Sequence, residues 1–202
     1  MARSVQDVAK ALSKLAHHQG GYFTTKQAIR IGYGNRHLDY HESVGNFERV
    51  SHGLYRLPSV PFVDRDDLIR LSLWSRNQKD EPQAIVSHES ALTVHELSEI
   101  IPRQIHLTVP KRFRKPVPPG CVLHKAEMDS SDIEEREGFR VSTPRRTLLD
   151  IAGSRVSQEQ LDKAVNDALS RGLVRRSQLS EVAQQSPFHE RLSHALRKAR
   201  AK

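Results

Sequence analysis

Thr24–Leu57 reads TTKQAIRIGYGNRHLDYHESVGNFERVSHGLYRL, and two features within it decide the fold. The first is a pair of short helical segments punctuated by glycine. Thr24 or Thr25 caps a run to about Ile31, Gly32-Tyr33-Gly34 breaks it, and Asn35 opens a further segment that closes at Val44-Gly45. The second is a hairpin, in which Phe47-Glu48-Arg49-Val50 and Leu54-Tyr55-Arg56-Leu57 flank Ser51-His52-Gly53. Working back from this stretch, Val5, Val8, Leu12, Leu15 and Ala16 recur at helical spacing behind Ser4, which predicts a helix over 4–18 that Gly20-Gly21 stops. Tyr22-Phe23 reads as a short extended step.

Three short helices followed by a hairpin is the order of a winged helix-turn-helix, and the turn between its second and third helices wants glycine. In that geometry the third helix enters the major groove of double-stranded DNA and its N-terminal side chains meet base edges. Arg36 is then the bidentate reader of guanine, and Asn35, His37, Tyr40 and His41 reach bases or phosphates. Thr25 and Lys26 on the second helix complete the expected DNA-binding set with Arg49, His52 and Arg56 on the hairpin, which address the flanking backbone or the minor groove. Asp39 and Glu42 are expected on a solvated face, since anions against phosphate cost affinity.

The charge balance fits an acidic partner. The net charge is +8, and basic residues outnumber acids two to one in residues 1–60 and 151–202 while the middle of the chain is neutral. A chain of 202 residues accommodates two domains. Pro58-Ser59-Val60-Pro61 is expected to separate a winged helix-turn-helix domain at 1–60 from a mixed α/β domain at 61–202 that ends in helices, an α+β protein in all. In the second part, helices are expected from Asp64 to about Asn77 and from His88 to about Leu97. Strands are expected at Ala84–Val86, Ile105–Val109, Val122–His124 and Phe139–Val141. Helices then follow at Pro144–Ile151, Gln158–Ser170 and Arg176–Ala183, before a basic end, Leu196–Lys202, expected to fray. With no long apolar run, no apolar signal core and one cysteine, Cys121, the chain reads as cytoplasmic with no membrane partner.

Three motifs carry a family resemblance. The hairpin Phe47–Pro58, the run SHESALTVHELS at 87–98, and Ile105–Pro110 followed by TPRRTLLDIA at 143–152 together resemble the AbiEi-type antitoxins of type IV toxin–antitoxin systems. The resemblance implies a repressor of its own operon that counteracts a nucleotidyltransferase-like toxin through its second domain, with direct toxin binding not obligatory. It differs in one respect: family members often carry more arginines on the third helix than Arg36 alone. A stand-alone regulator whose second domain senses a ligand or partner is the other reading that the residues leave open.

An enzyme is not expected. No His-Glu-x-x-His or cysteine pair marks a metal site, no Asp or Glu is followed two residues later by Lys as in common metal-dependent nucleases, and no glycine-rich phosphate loop occurs. No cofactor is therefore expected. The run Lys111-Arg112-Phe113-Arg114-Lys115 offers cations to phosphate and Phe113 to stack on a base, or else forms a solvated turn. Asp129, Asp132, Glu134, Glu135 and Glu137 read as a solvated acidic loop. Arg145 and Arg146 begin a helix against its dipole, which calls for an anionic partner or a nearby carboxylate. Lys111, Arg112, Arg114, Lys115, Arg145 and Arg146 are the candidates for antitoxin function.

Overall fold

The computed structural model describes residues 4–199 and divides the chain into two compact units. The first takes the chain up to Ala84 together with Arg136–Phe139, and the second takes Ile85–Glu135 and the chain from Arg140. The fold is α+β, as expected.

In the first unit, α1 (Val5–His17) starts at a capping box, in which Ser4 accepts from the Asp7 backbone N–H and Asp7 reaches back to Ser4. β1 (Tyr22–Thr24) ends at Thr24, whose side chain caps α2 (Thr25–Ile31) in the same way with Gln27. α3 (Asn35–Ser43) is entered through Gly34, so Asn35 is its first residue rather than its cap. β2 (Glu48–Ser51) and β3 (Leu54–Arg56) form the expected hairpin, with a bulge between Arg49 and Ser51. The extended step at Tyr22–Phe23 is a third strand: β1 pairs antiparallel with β3 and places β3 at the centre of the sheet. Leu12, Ala16, Phe23, Leu38, Phe47 and Tyr55 fill the core beneath, where Phe23 stacks on Tyr55 at 5.7 Å and meets Phe47 edge-on at 5.0 Å.

Pro58–Pro61 is not a free linker. Val60 is buried, its carbonyl accepts from the Arg56 guanidinium, and the Leu57 N–H donates to Gly21 O. Beyond it α4 (Asp66–Trp74) stays within the first unit and packs on β1, with Leu68, Ile69 and Leu73 buried and the Tyr22 hydroxyl donating to Asp66 Oδ2 at 2.7 Å. The first compact unit thus runs past the expected junction at 60 to Ala84.

The second unit is built on β4 (Ile85–Val86), β5 (Ile105–Val109), β6 (Cys121–Lys125), β7 (Ile133–Glu135) and β8 (Arg140–Ser142), in the order β6-β5-β4-β8-β7. The pairings β5–β6 and β4–β8 are parallel, and the others antiparallel. The parallel step from β5 to β6 is made by a loop rather than a helix, and this loop carries the basic run. Five helices accompany the sheet: α5 (His88–His95), α6 (Pro144–Ala152), α7 (Gln158–Ser170), α8 (Arg176–Gln185) and α9 (His189–Lys198). Leu92, Leu148, Ile151, Leu161, Val165 and Leu192 make their shared core. Two elements differ from the sequence reading. β7 occupies what reads as an acidic loop, and α9 is a helix absent from the sequence reading, which takes in Leu196–Lys198 of the end expected to fray and buries Leu192, Ala195 and Leu196 against α7 and α8. Of the expected frayed end, Arg200–Lys202 lie outside the described residues.

Candidate functional site

α3 is held by Leu38, buried at 2% exposure, and this anchor turns Asn35, Arg36, His37, Asp39 and Tyr40 outward. Tyr40 is 61% exposed. Lys26 on α2 and Arg49 and His52 on the hairpin are exposed as well, while Thr25 is half-buried and its backbone N–H donates to Gly53 O at the hairpin turn. Arg49 lies 3.9 Å from Glu42, whose side chain is 34% exposed near the end of α3.

Two expected contacts fall elsewhere. Arg56 is 4% exposed: its guanidinium bonds Val60 O, pairs with Glu48 at 3.8 Å and lies under Phe62 at 3.8 Å. It is a structural cation inside the unit, not a phosphate contact, because β3 is a central strand flanked on both sides. His41 turns toward Phe47, 4.7 Å away, and Tyr33, with Nδ1 3.0 Å from Asn46 Nδ2. Burial, and then the nearby His37, hold it below the usual histidine range.

In the second unit the motifs at 87–98 and 143–152 come together. Asp132, expected in a solvated acidic loop, is 8% exposed and accepts from Arg145 Nη2 at 2.6 Å and Arg146 Nη1 at 3.4 Å. Arg146 Nε also donates to Asp150 Oδ1 at 2.9 Å. The two arginines at the start of α6 thus have their carboxylates within the fold. Burial pushes Asp150 up to about 6 against the pull of Arg146. Beside this network three histidines gather. His88 stacks on His124 at 3.6 Å, His124 Nε2 is 3.0 Å from His106 Nδ1, and the same His106 nitrogen is 3.0 Å from Glu89 Oε2. His88 is pushed down to about 3 by burial and then by His124, His106 and Arg146, so it is neutral at ordinary pH. His124 is lowered too, by burial first. A cavity of about 490 Å³ opens between His88, Arg146, Leu149, Asp150, Val182 and Phe188.

The basic run is exposed at Lys111, Arg112, Arg114 and Lys115, but Phe113 is 4% exposed. It anchors the loop in the unit and has no face left to stack on a base, which corrects the expectation from sequence.

A family model described as "AbiEi antitoxin C-terminal domain" matches residues 84–198, more than half of the chain, and another described as "Transcriptional regulator, AbiEi antitoxin" matches residues 10–58. The chain belongs to the AbiEi antitoxin family. The first match of this AbiEi antitoxin ends just after β3, and the second begins where the second compact unit does. Both descriptions are of antitoxins, and the one that matches residues 10–58 is also of a transcriptional regulator. No curated protein matches the chain. Among solved structures, the crystal structure of the RV2827C protein from Mycobacterium tuberculosis has the same fold, with a TM-score of 0.60 at 16% identity over 98% of this AbiEi antitoxin and 79% of that chain. Among the described residues no helix is long and apolar enough to cross a membrane.

Reading the sequence alone missed His106, His124 and Glu89 as neighbours of His88, and missed Asp132 and Asp150 as the partners of Arg145 and Arg146. Two signals were present: the alternation Ile105-His106-Leu107 and Val122-Leu123-His124 puts both imidazoles on paired parallel strands, and Arg146–Asp150 has helical i,i+4 spacing.

Proposed function

We propose that the first unit binds double-stranded operator DNA and represses its own operon, and that the second unit counteracts a nucleotidyltransferase-like toxin. The observation that carries the DNA reading is the outward face of α3. It presents Asn35, Arg36, His37 and Tyr40 to solvent, as Lys26 and the hairpin residues Arg49 and His52 also are, with Leu38 locking the helix on its core. Arg36 reads a guanine edge, Tyr40 offers an apolar face to a thymine methyl, and Lys26, Arg49 and His52 set the register on phosphates. His41 and Arg56 hold the scaffold, and Thr25 ties α2 to the hairpin turn through its backbone.

The antitoxin reading rests on the family and assigns Lys111, Arg112, Arg114 and Lys115 to it before Arg145 and Arg146, because the four loop cations are exposed and the two on α6 are half-buried. The deciding experiment is a gel-shift titration on the chain's own promoter. Arg36→Ala is expected to weaken specific binding by about 1–3 kcal/mol while non-specific binding changes little. Equal affinity of mutant and wild type for the promoter would remove α3 from the major groove.

A further inference from the structure

The cavity of the second unit has a polar end and an apolar end, and each restricts what can enter. At the polar end the charges are balanced: Arg146 faces Asp132 and Asp150, and His88 is uncharged. A bare anion therefore meets no surplus positive charge. What is unmet there is hydrogen bonding. Asp150 Oδ2 is buried with no hydrogen-bond partner, and it needs a donor. Arg146 uses Nε on Asp150 and Nη1 on Asp132, so Nη2 is the guanidinium nitrogen that these two contacts do not use. His88 is fixed in place by its stack on His124 and by the Ser87 hydroxyl, 3.0 Å from Nδ1.

The apolar end is built on an aromatic ring. Phe188 lies against the backbone of Gly153 so closely that a Cβ there would fall 2.6 Å from the ring, and Leu149 and Val182 continue the wall. The complement of these two ends is a planar ring carrying an N–H donor next to an acceptor on one edge. A cavity of about 490 Å³ holds such a ring with a sugar attached.

We propose that this cavity binds a nucleobase, as its nucleoside or nucleotide, with the base edge on Asp150 and Arg146 and the base face on Phe188 and Leu149. The AbiEi antitoxin would then carry an effector site in the unit that does not hold α3. This inference is independent of the DNA reading, since no residue of the first unit takes part.

The test is calorimetric titration of the full chain with adenosine, guanosine, cytidine and uridine, with ribose 5-phosphate as the anion lacking a base. At least one nucleoside is expected to bind with a sub-millimolar Kd, and ribose 5-phosphate is not. Asp150→Asn is expected to weaken that binding at least about tenfold. Because Asp150 is buried and paired, two variants away from the polar network serve as the second arm. Gly153→Ala displaces Phe188, and Val182→Phe fills the half-exposed rim, so each should abolish binding while leaving the circular dichroism spectrum unchanged. Absence of binding by all four nucleosides at millimolar concentration overturns the proposal. So does equal binding of ribose 5-phosphate, or nucleoside binding that survives both Gly153→Ala and Val182→Phe.

Discussion

Arg49 and Arg56 stand on the two strands of one hairpin and do opposite work. Arg56 meets Val60 O, Glu48 and Phe62 in the interior, so Arg56→Ala should cost about 1.5–3 kcal/mol in urea unfolding, the range for a lost hydrogen bond to a charged group. Arg49→Ala should leave the unfolding midpoint almost unchanged and reduce the salt slope of DNA binding by about one. An Arg56→Ala protein as stable as wild type would mean that the buried guanidinium contributes nothing. The sequence could not separate the two, because Arg56 is interior only once Tyr22–Thr24 is seen to be a strand that closes the second edge of β3. The titrating pair of the second unit makes a further residue-scale prediction. Unfolded imidazoles take up protons below pH 6.5, but folded His88 does so only near 3, so stability is lost as pH falls below 6.5, by at most about 1.4 kcal/mol per unit. Asp150 runs the other way: folded, it gains its proton near pH 6 and unfolded near 3.8, so its contribution returns as pH drops below 6. Melting temperature should therefore fall between pH 7 and 6 and level off below. Asp150→Asn should steepen the acid side, and a wild-type curve that is flat above pH 6 would count against the buried neutral His88.

At the scale of elements, capping was the most legible signal. Ser4 with Asp7 and Thr24 with Gln27 are capping boxes written in sequence, and α1, α2 and α7 start where Ser and Thr place them. Elements defined by distant partners were not legible. β7 is Ile-Glu-Glu, a sequence with no strand character of its own, and becomes a strand by pairing with β8; α9 is rich in His and Arg, and its period of Leu192, Ala195 and Leu196 was hidden by that charge. The loop from β5 to β6 combines both cases. Its cations are exposed, as a basic run suggests, whereas Phe113 is an anchor. Replacing Lys111, Arg112, Arg114 and Lys115 together by alanine should leave folding intact by circular dichroism and impair rescue of cells from the cognate toxin. Phe113→Ala should instead destabilise the unit by about 3 kcal/mol or more, as loss of a buried ring does. A quadruple mutant that rescues fully would reduce the loop to a solvated connection.

For the whole molecule, the two-part plan was readable from Pro58–Pro61, but its place was not. Proline marks where a strand ends and is silent on what the next helix packs against, and here α4 returns to β1. A fragment of residues 61–202 should consequently expose Leu68, Ile69 and Leu73 and bind a hydrophobic dye, whereas one starting at residue 85 should bind far less. Equal dye binding by the two fragments would show that α4 has no need of β1.

Arg136–Phe139 belongs to the first unit although the chain on either side of it builds the second. Gly138 within it has φ +83°, and a Cβ there would lie 2.9 Å from Ile69, so the segment is fitted to one particular α4. In the language of gene rearrangement, the two units are not cassettes. A single crossover near residue 84 would bring in a foreign version of these four residues along with the new second unit, and set it against an α4 it had never met. A lineage that trades its second unit for another must therefore carry the four residues back or rebuild Ile69, which ties the inheritance of the first unit to that of the second.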